Sequence, residues 1–97
     1  MKQRHNETTL IREERSDEYF LYTYELILRE GRQTVNWRLP LYSIRVTLID
    51  SYGTKSEREA TDVFTDRAKA ENLFNRLVRN LATPIDLGYV VEDEVRI

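Results

Sequence analysis

The sequence predicts an α+β fold. It expects an antiparallel sheet of three or four strands, one long amphipathic helix on one face of the sheet, and a short C-terminal helix, in the order β-β-β-β-α-α. Three observations predict it. Residues 8–63 contain runs of tyrosine, leucine, isoleucine and valine separated by turn residues. Residues 65–82, TDRAKAENLFNRLVRNLA, are the long stretch whose apolar residues recur at three- and four-residue steps. Thr83-Pro84 then ends that helix and starts another over 84–95, because proline disfavours helix in the residue before it and suits the first position of a new one.

Residues 1–6 are polar and predict a disordered leader. Residues 8–15, TTLIREER, make a strand whose apolar content is Leu10 and Ile11, and Ser16-Asp17-Glu18 makes a turn. Tyr19 to Arg29, YFLYTYELILR, is the strongest strand, filled with the aromatic and branched residues that suit a pleated surface. Read by twos, Phe20, Tyr22, Tyr24, Leu26 and Leu28 form its core face. Glu30-Gly31-Arg32 signals a turn, and Gln33 to Arg38 a loop or hairpin extension carrying Trp37. Pro40, with no backbone donor, belongs at a strand start or an edge. Leu41 to Ser51 alternates cleanly, with Tyr42, Ile44, Val46 and Leu48 on one face. After a turn at Ser51-Tyr52-Gly53-Thr54, Lys55 to Val63 makes a charged edge strand whose lysine and glutamates discourage pairing with other chains. Thr65 or Asp66 caps the long helix. Ala70, Leu73, Phe74, Leu77, Val78 and Leu81 form its apolar stripe, with Lys69, Asn72, Arg76 and Arg79 opposite. Gly88 weakens the second helix, which is expected to be short.

With 97 residues the chain has the length of one domain. The absence of cysteine excludes disulfides and thiolate metal sites. No signal-peptide core or membrane-length apolar run is present, so the expected compartment is the cytoplasm. A net charge of −2 gives no general pull toward nucleic acid. Its distribution is uneven: residues 65–83 carry four bases and two acids, whereas residues 84–97 carry one base and four acids.

The chemistry-bearing residues are sparse. His5 stands alone in the leader. Asp86 and Glu92-Asp93-Glu94 are the densest acids, but consecutive helical positions point about 100° apart and do not converge on a cation. Gly31, Gly53 and Gly88 are isolated and make no phosphate loop. No catalytic residue, cofactor site or metal site is expected, and the chain is not expected to be an enzyme.

The C-terminal half resembles a family. Tyr42-Ser43-Ile44, a strand, a glycine turn, an amphipathic helix, then Thr83-Pro84-Ile85-Asp86-Leu87 and Val90-Val91-Glu92-Asp93, resemble a set of small uncharacterised bacterial proteins classed as a domain of unknown function. Their tails follow Thr-Pro-x-x-Leu-x-x-Val-Ile-Glu-Asp. The resemblance spans roughly residues 42–95, departs at Ser43 and Gly88, and implies a small cytosolic α+β protein without bringing an activity or catalytic residues.

The best functional expectation concerns the sheet face that two helices cannot cover. Leu21, Ile27, Leu41 and Ile49 fall there among Thr23, Glu25, Ser43, Arg45 and Thr47, with Tyr19 near the end and Trp37 in the adjoining loop. Scattered surface apolars, or cover by the leader or the loop, would account for them. A partner site accounts for them equally well, for another protein or for a second copy in a homodimer. The expected function is therefore a non-enzymatic interaction or regulatory module. The alternative is a nucleic-acid-binding accessory protein using the basic face of Lys69, Arg76 and Arg79.

Overall fold

The computed structural model describes residues 7–30 and 40–95. Four antiparallel strands form one sheet in the order β1-β2-β3-β4, followed by two helices. They are β1 (Glu7–Ser16), β2 (Phe20–Glu30), β3 (Pro40–Asp50), β4 (Lys55–Phe64), α1 (Arg67–Arg79) and α2 (Pro84–Val95). The α+β order expected from the sequence is the one observed. Expectations for residues 1–6, for Gly31 and for the segment carrying Trp37 lie outside the described residues.

Side-chain chemistry makes the two described turns. At the β1–β2 turn the Asp17 carboxylate accepts from the Tyr19 and Phe20 amides at 2.9 and 2.8 Å and from the Tyr22 hydroxyl at 3.0 Å. At the β3–β4 turn the Gly53 amide donates to the Asp50 carbonyl at 3.0 Å, and the Asp50 side chain accepts from the Tyr52 and Thr54 amides. Gly53 has φ +86°, the left-handed geometry that follows such a turn in a hairpin.

Register places the alternating residues as their period requires. Tyr22, Tyr24 and Leu26 of β2 and Tyr42, Ile44 and Val46 of β3 are buried on the helix side. Ala70, Leu73, Phe74, Leu77 and Val78 of α1 pack onto them, with Ala82 and Leu87 beyond. Tyr24 has no exposed surface, and its hydroxyl donates to the Ala82 carbonyl at 2.9 Å, bonding the sheet to the link between the helices.

Both edge strands are irregular. β1 shifts register between Thr9 and Ile11, so Leu10 and Ile11 both reach the core margin. In β4 the shift lies opposite Ser43, between the Ile44–Ala60 and Tyr42–Phe64 pairs. There Asp62 adopts φ +54° and its amide donates to the buried Ser43 hydroxyl at 2.8 Å. Bulges and charge together discourage edge-to-edge pairing.

Of the two residues expected to cap α1, Asp66 does so, accepting from the Ala68 amide at 2.9 Å, and the helix begins at Arg67. At the other end the Leu81 amide donates to Val78 and the Ala82 amide to Leu77, the bond pair of a Schellman motif. Leu81 occupies its left-handed position, with φ +50°. That turn takes Leu81 out of the apolar stripe, where spacing had put it, and leaves it exposed. α2 spans Pro84–Val95. Thr83 and Asp86 cap it reciprocally: Thr83 Oγ accepts from the Asp86 amide at 3.2 Å, and the Asp86 carboxylate accepts from the Thr83 amide at 3.0 Å. Pro84 then fills the first helical position, where no donor is needed.

Candidate functional site

The helices lie over β2, β3 and β4 on one side, and the opposite face of the sheet is organised as rows across the strands. One row runs Arg12, Glu25, Arg45, Glu59 from β1 to β4, with charges alternating in sign. Arg45 is its hub. Its guanidinium meets Glu25 at 3.1 Å, Glu57 at 3.2 Å and Glu59 at 3.0 Å, while Arg12 lies 3.8 Å from the other oxygen of Glu25. Partial burial pushes the Arg45 pKa down, but the hydrogen bonds and charges of Glu59 and Glu25 outweigh that and hold it above its ordinary value.

The flanking rows are different. Thr23 pairs with Thr47, and beyond them Leu21 pairs with Ile49, between Ser16 and Lys55. On the other side of the charged row Ile27 pairs with Thr9 and Ser43, and Leu41 with Arg29. Arg29 reaches Asp62 at 3.4 Å.

The outer-face residues named from sequence therefore do not form one patch. Leu21 and Ile49 are direct neighbours at the turn end. Ile27 and Leu41 stand at the far end, roughly 20 Å away for six residues of strand. Ile27 is only 1% exposed, so it is corrected from surface to interior. Leu41 and Ile49 are half-buried, and Leu21 is 38% exposed. The turn end also carries the exposed Tyr19, which alternation puts near the end of this face, and the exposed Tyr52 on the other turn, which sequence reasoning did not place in the site. The position of Tyr52 in a turn gave no periodic signal.

The second surface is helical. Lys69, Arg76 and Arg79 are exposed on one side of α1, as their spacing predicts. Arg76 lines a groove of about 270 Å³ with Leu77, Asn80, Ala82, Asp86, Tyr89 and Val90. Leu77, Ala82 and Val90 supply apolar surface, and Arg76 and Asp86 bring opposite charges. Along α2, Ile85 and Tyr89 are 64% and 67% exposed at a four-residue step. A Cβ at Gly88 would stand 3.0 Å from the Arg58 guanidinium, the movable end of an exposed side chain. Among the described residues no cluster of three or more metal-ligating side chains is found, and no helix is long and apolar enough to cross a membrane.

These features define a two-layer α+β domain. Its sequence matches over residues 3–96 the model of a family of unknown function, DUF6514, and the chain belongs to that family. The chain matches no curated protein and no solved structure.

Proposed function

We propose that this chain is a non-enzymatic protein-interaction module that meets a partner protein through the turn end of its outer sheet face. The observation that carries this reading is the cross-strand pair Leu21–Ile49, with Leu21 exposed and Tyr19 and Tyr52 flanking it. Aromatic and branched side chains gathered at one exposed end suit a buried contact centre, and the Arg45 row beside them suits its polar rim. A cytoplasmic setting belongs to the same proposal. Affinity capture from the native cell with the wild-type chain and with Leu21→Arg tests it. A protein held by the wild type and lost by the variant is expected; identical capture by both removes the reading.

The nucleic-acid alternative draws on Lys69, Arg76 and Arg79. It is the weaker reading, because Asp86 shares the groove that Arg76 lines and would face any phosphate placed there.

A further inference from the structure

The two turns at the exposed end of the outer face are built alike. In each, an aspartate stands two residues before an exposed tyrosine and accepts from the amide of that tyrosine, Asp17 from Tyr19 at 2.9 Å and Asp50 from Tyr52 at 2.9 Å. Each turn therefore holds a carboxylate close to an open aromatic ring. A lysine or arginine suits such a unit, because the carboxylate supplies charge and the ring face attracts a cation. Both carboxylates keep acceptor capacity: the second oxygen of Asp17 accepts from the Tyr22 hydroxyl alone, and the bonds at Asp50 all use its first oxygen. The turns lie two strand spacings apart, roughly 10 Å. Leu21 and Ile49, a cross-strand pair on the two middle strands, lie between them.

Charge at this end is not balanced. Arg12, Arg15, Arg45 and Lys55 are each bridged to a glutamate, at 3.1, 3.0, 3.0 and 3.5 Å. Asp17, Glu18 and Asp50 meet no base among the described residues. Residues 7–30 as a whole carry seven acids and three bases. A second copy would set these acids against their own kind, and a nucleic acid or an acidic lipid surface would meet them with phosphates. A basic partner is drawn to them. The apolar centre also limits what fits. Tyr19, Leu21 and Tyr52 together expose roughly 400 Å², about half of what one side of a stable complex buries. That area matches one segment of chain rather than the face of a domain.

Resting on the outer-face reading, we infer that the partner protein brings a single basic segment to this end. Its apolar residues cover Leu21 and Ile49, and two of its lysines or arginines reach the Asp17–Tyr19 and Asp50–Tyr52 turns. The separation of the turns sets the spacing of those bases: about three residues apart in an extended segment, or about seven apart, two turns, in a helix.

A random peptide library panned against the immobilised full chain, and counter-selected on Leu21→Arg, supplies the probe. The peptides retained are expected to carry two bases at one of these spacings beside branched or aromatic residues. Their affinity, read by fluorescence anisotropy, is expected to weaken as salt rises from roughly 0.05 to 0.5 M. It is expected to fall roughly tenfold in Asp17→Asn with Asp50→Asn, where asparagine still offers the turn amides a carbonyl oxygen. Glu18→Lys, at an exposed position outside those bonds, is a second charge variant expected to weaken binding with an unchanged circular dichroism spectrum. Retained peptides that are neutral or acidic, or that bind the charge variants as they bind the wild type, overturn the inference and leave the outer-face reading standing. A library that yields no binder overturns it in the same way. Peptides that bind Leu21→Arg as tightly as the wild type overturn both.

Discussion

Tyr24 and Asp17 show how much a single polar atom holds in this fold. Tyr24 is enclosed by core residues, and its hydroxyl satisfies the Ala82 carbonyl between the helices. Tyr24→Phe keeps the ring and leaves that carbonyl without its donor, so a loss of about 1–2 kcal/mol in urea unfolding is expected. Burial, then the nearby Tyr22, raises the Tyr24 pKa far above the tyrosine value. A folded-state pKa above the unfolded one contributes stability that is complete below about pH 10 and is lost as pH rises through the folded value. The alkaline loss should accordingly be smaller in Tyr24→Phe. Asp17 behaves in the opposite sense. The Tyr19 and Phe20 amides, with the Tyr22 hydroxyl, hold its carboxyl below the ordinary aspartate value. Its contribution is complete above about pH 4 and fades as pH falls through the lower folded value. The Tm difference between wild type and Asp17→Asn should be constant near neutrality and close toward zero in acid. A gap that persists in strong acid would show that geometry, not charge, is what the turn needs. Single residues were also where sequence reasoning missed. Ile27 has the period of a surface residue and Leu81 that of a core residue, because periodicity does not report a local turn or what covers a face.

At the scale of elements, the strands were legible because their two-residue period is strong, and α1 because its apolar stripe is clean. The rows across the sheet were not legible. They depend on register, and the shifts at Thr9/Ile11 and opposite Ser43 have no plain sequence signature. Asp62 at positive φ is an instance: a bulge residue of ordinary composition, fixed by a bond to Ser43 from another strand. The Arg12–Glu25–Arg45–Glu59 row joins all four strands, and Arg45 is less than a third exposed. Arg45→Met would leave Glu25, Glu57 and Glu59 crowded without their shared cation, for an expected loss of about 2 kcal/mol. Adding Glu25→Gln and Glu59→Gln should recover most of it, because removing both sides of a charge network costs less than orphaning one side. Equilibrium unfolding of the single and triple variants checks this, and a neutral Arg45→Met would mean that the row is only surface decoration. The Thr-Pro tail is explained at the same scale. Thr83, Pro84 and Asp86 build a helix start, Leu87 anchors it in the core, and Ile85, Tyr89, Glu92 and Asp93 stay exposed.

The whole molecule is a slab, with extents of 49 × 39 × 18 Å. Two layers over one core leave much surface per buried residue, and a domain of this length buries only roughly 60–65% of its unfolded surface. Of the candidate sites, sequence located the outer face and the basic helix side. It did not foresee the exposure of Leu81, which the turn between the helices decides. For so thin a domain, pairing of two copies would also add stability. A dimer that separates on unfolding has, by mass action, a Tm that rises with protein concentration, by about 3–5 °C per tenfold for a domain of this size. Thermal unfolding followed by circular dichroism over a hundredfold range of concentration measures this. With a different protein as the partner of the outer face, the chain is expected to show one Tm throughout. A wild-type Tm that climbs, while that of Leu21→Arg stays constant, would instead put a second copy of the chain on the turn end of the sheet.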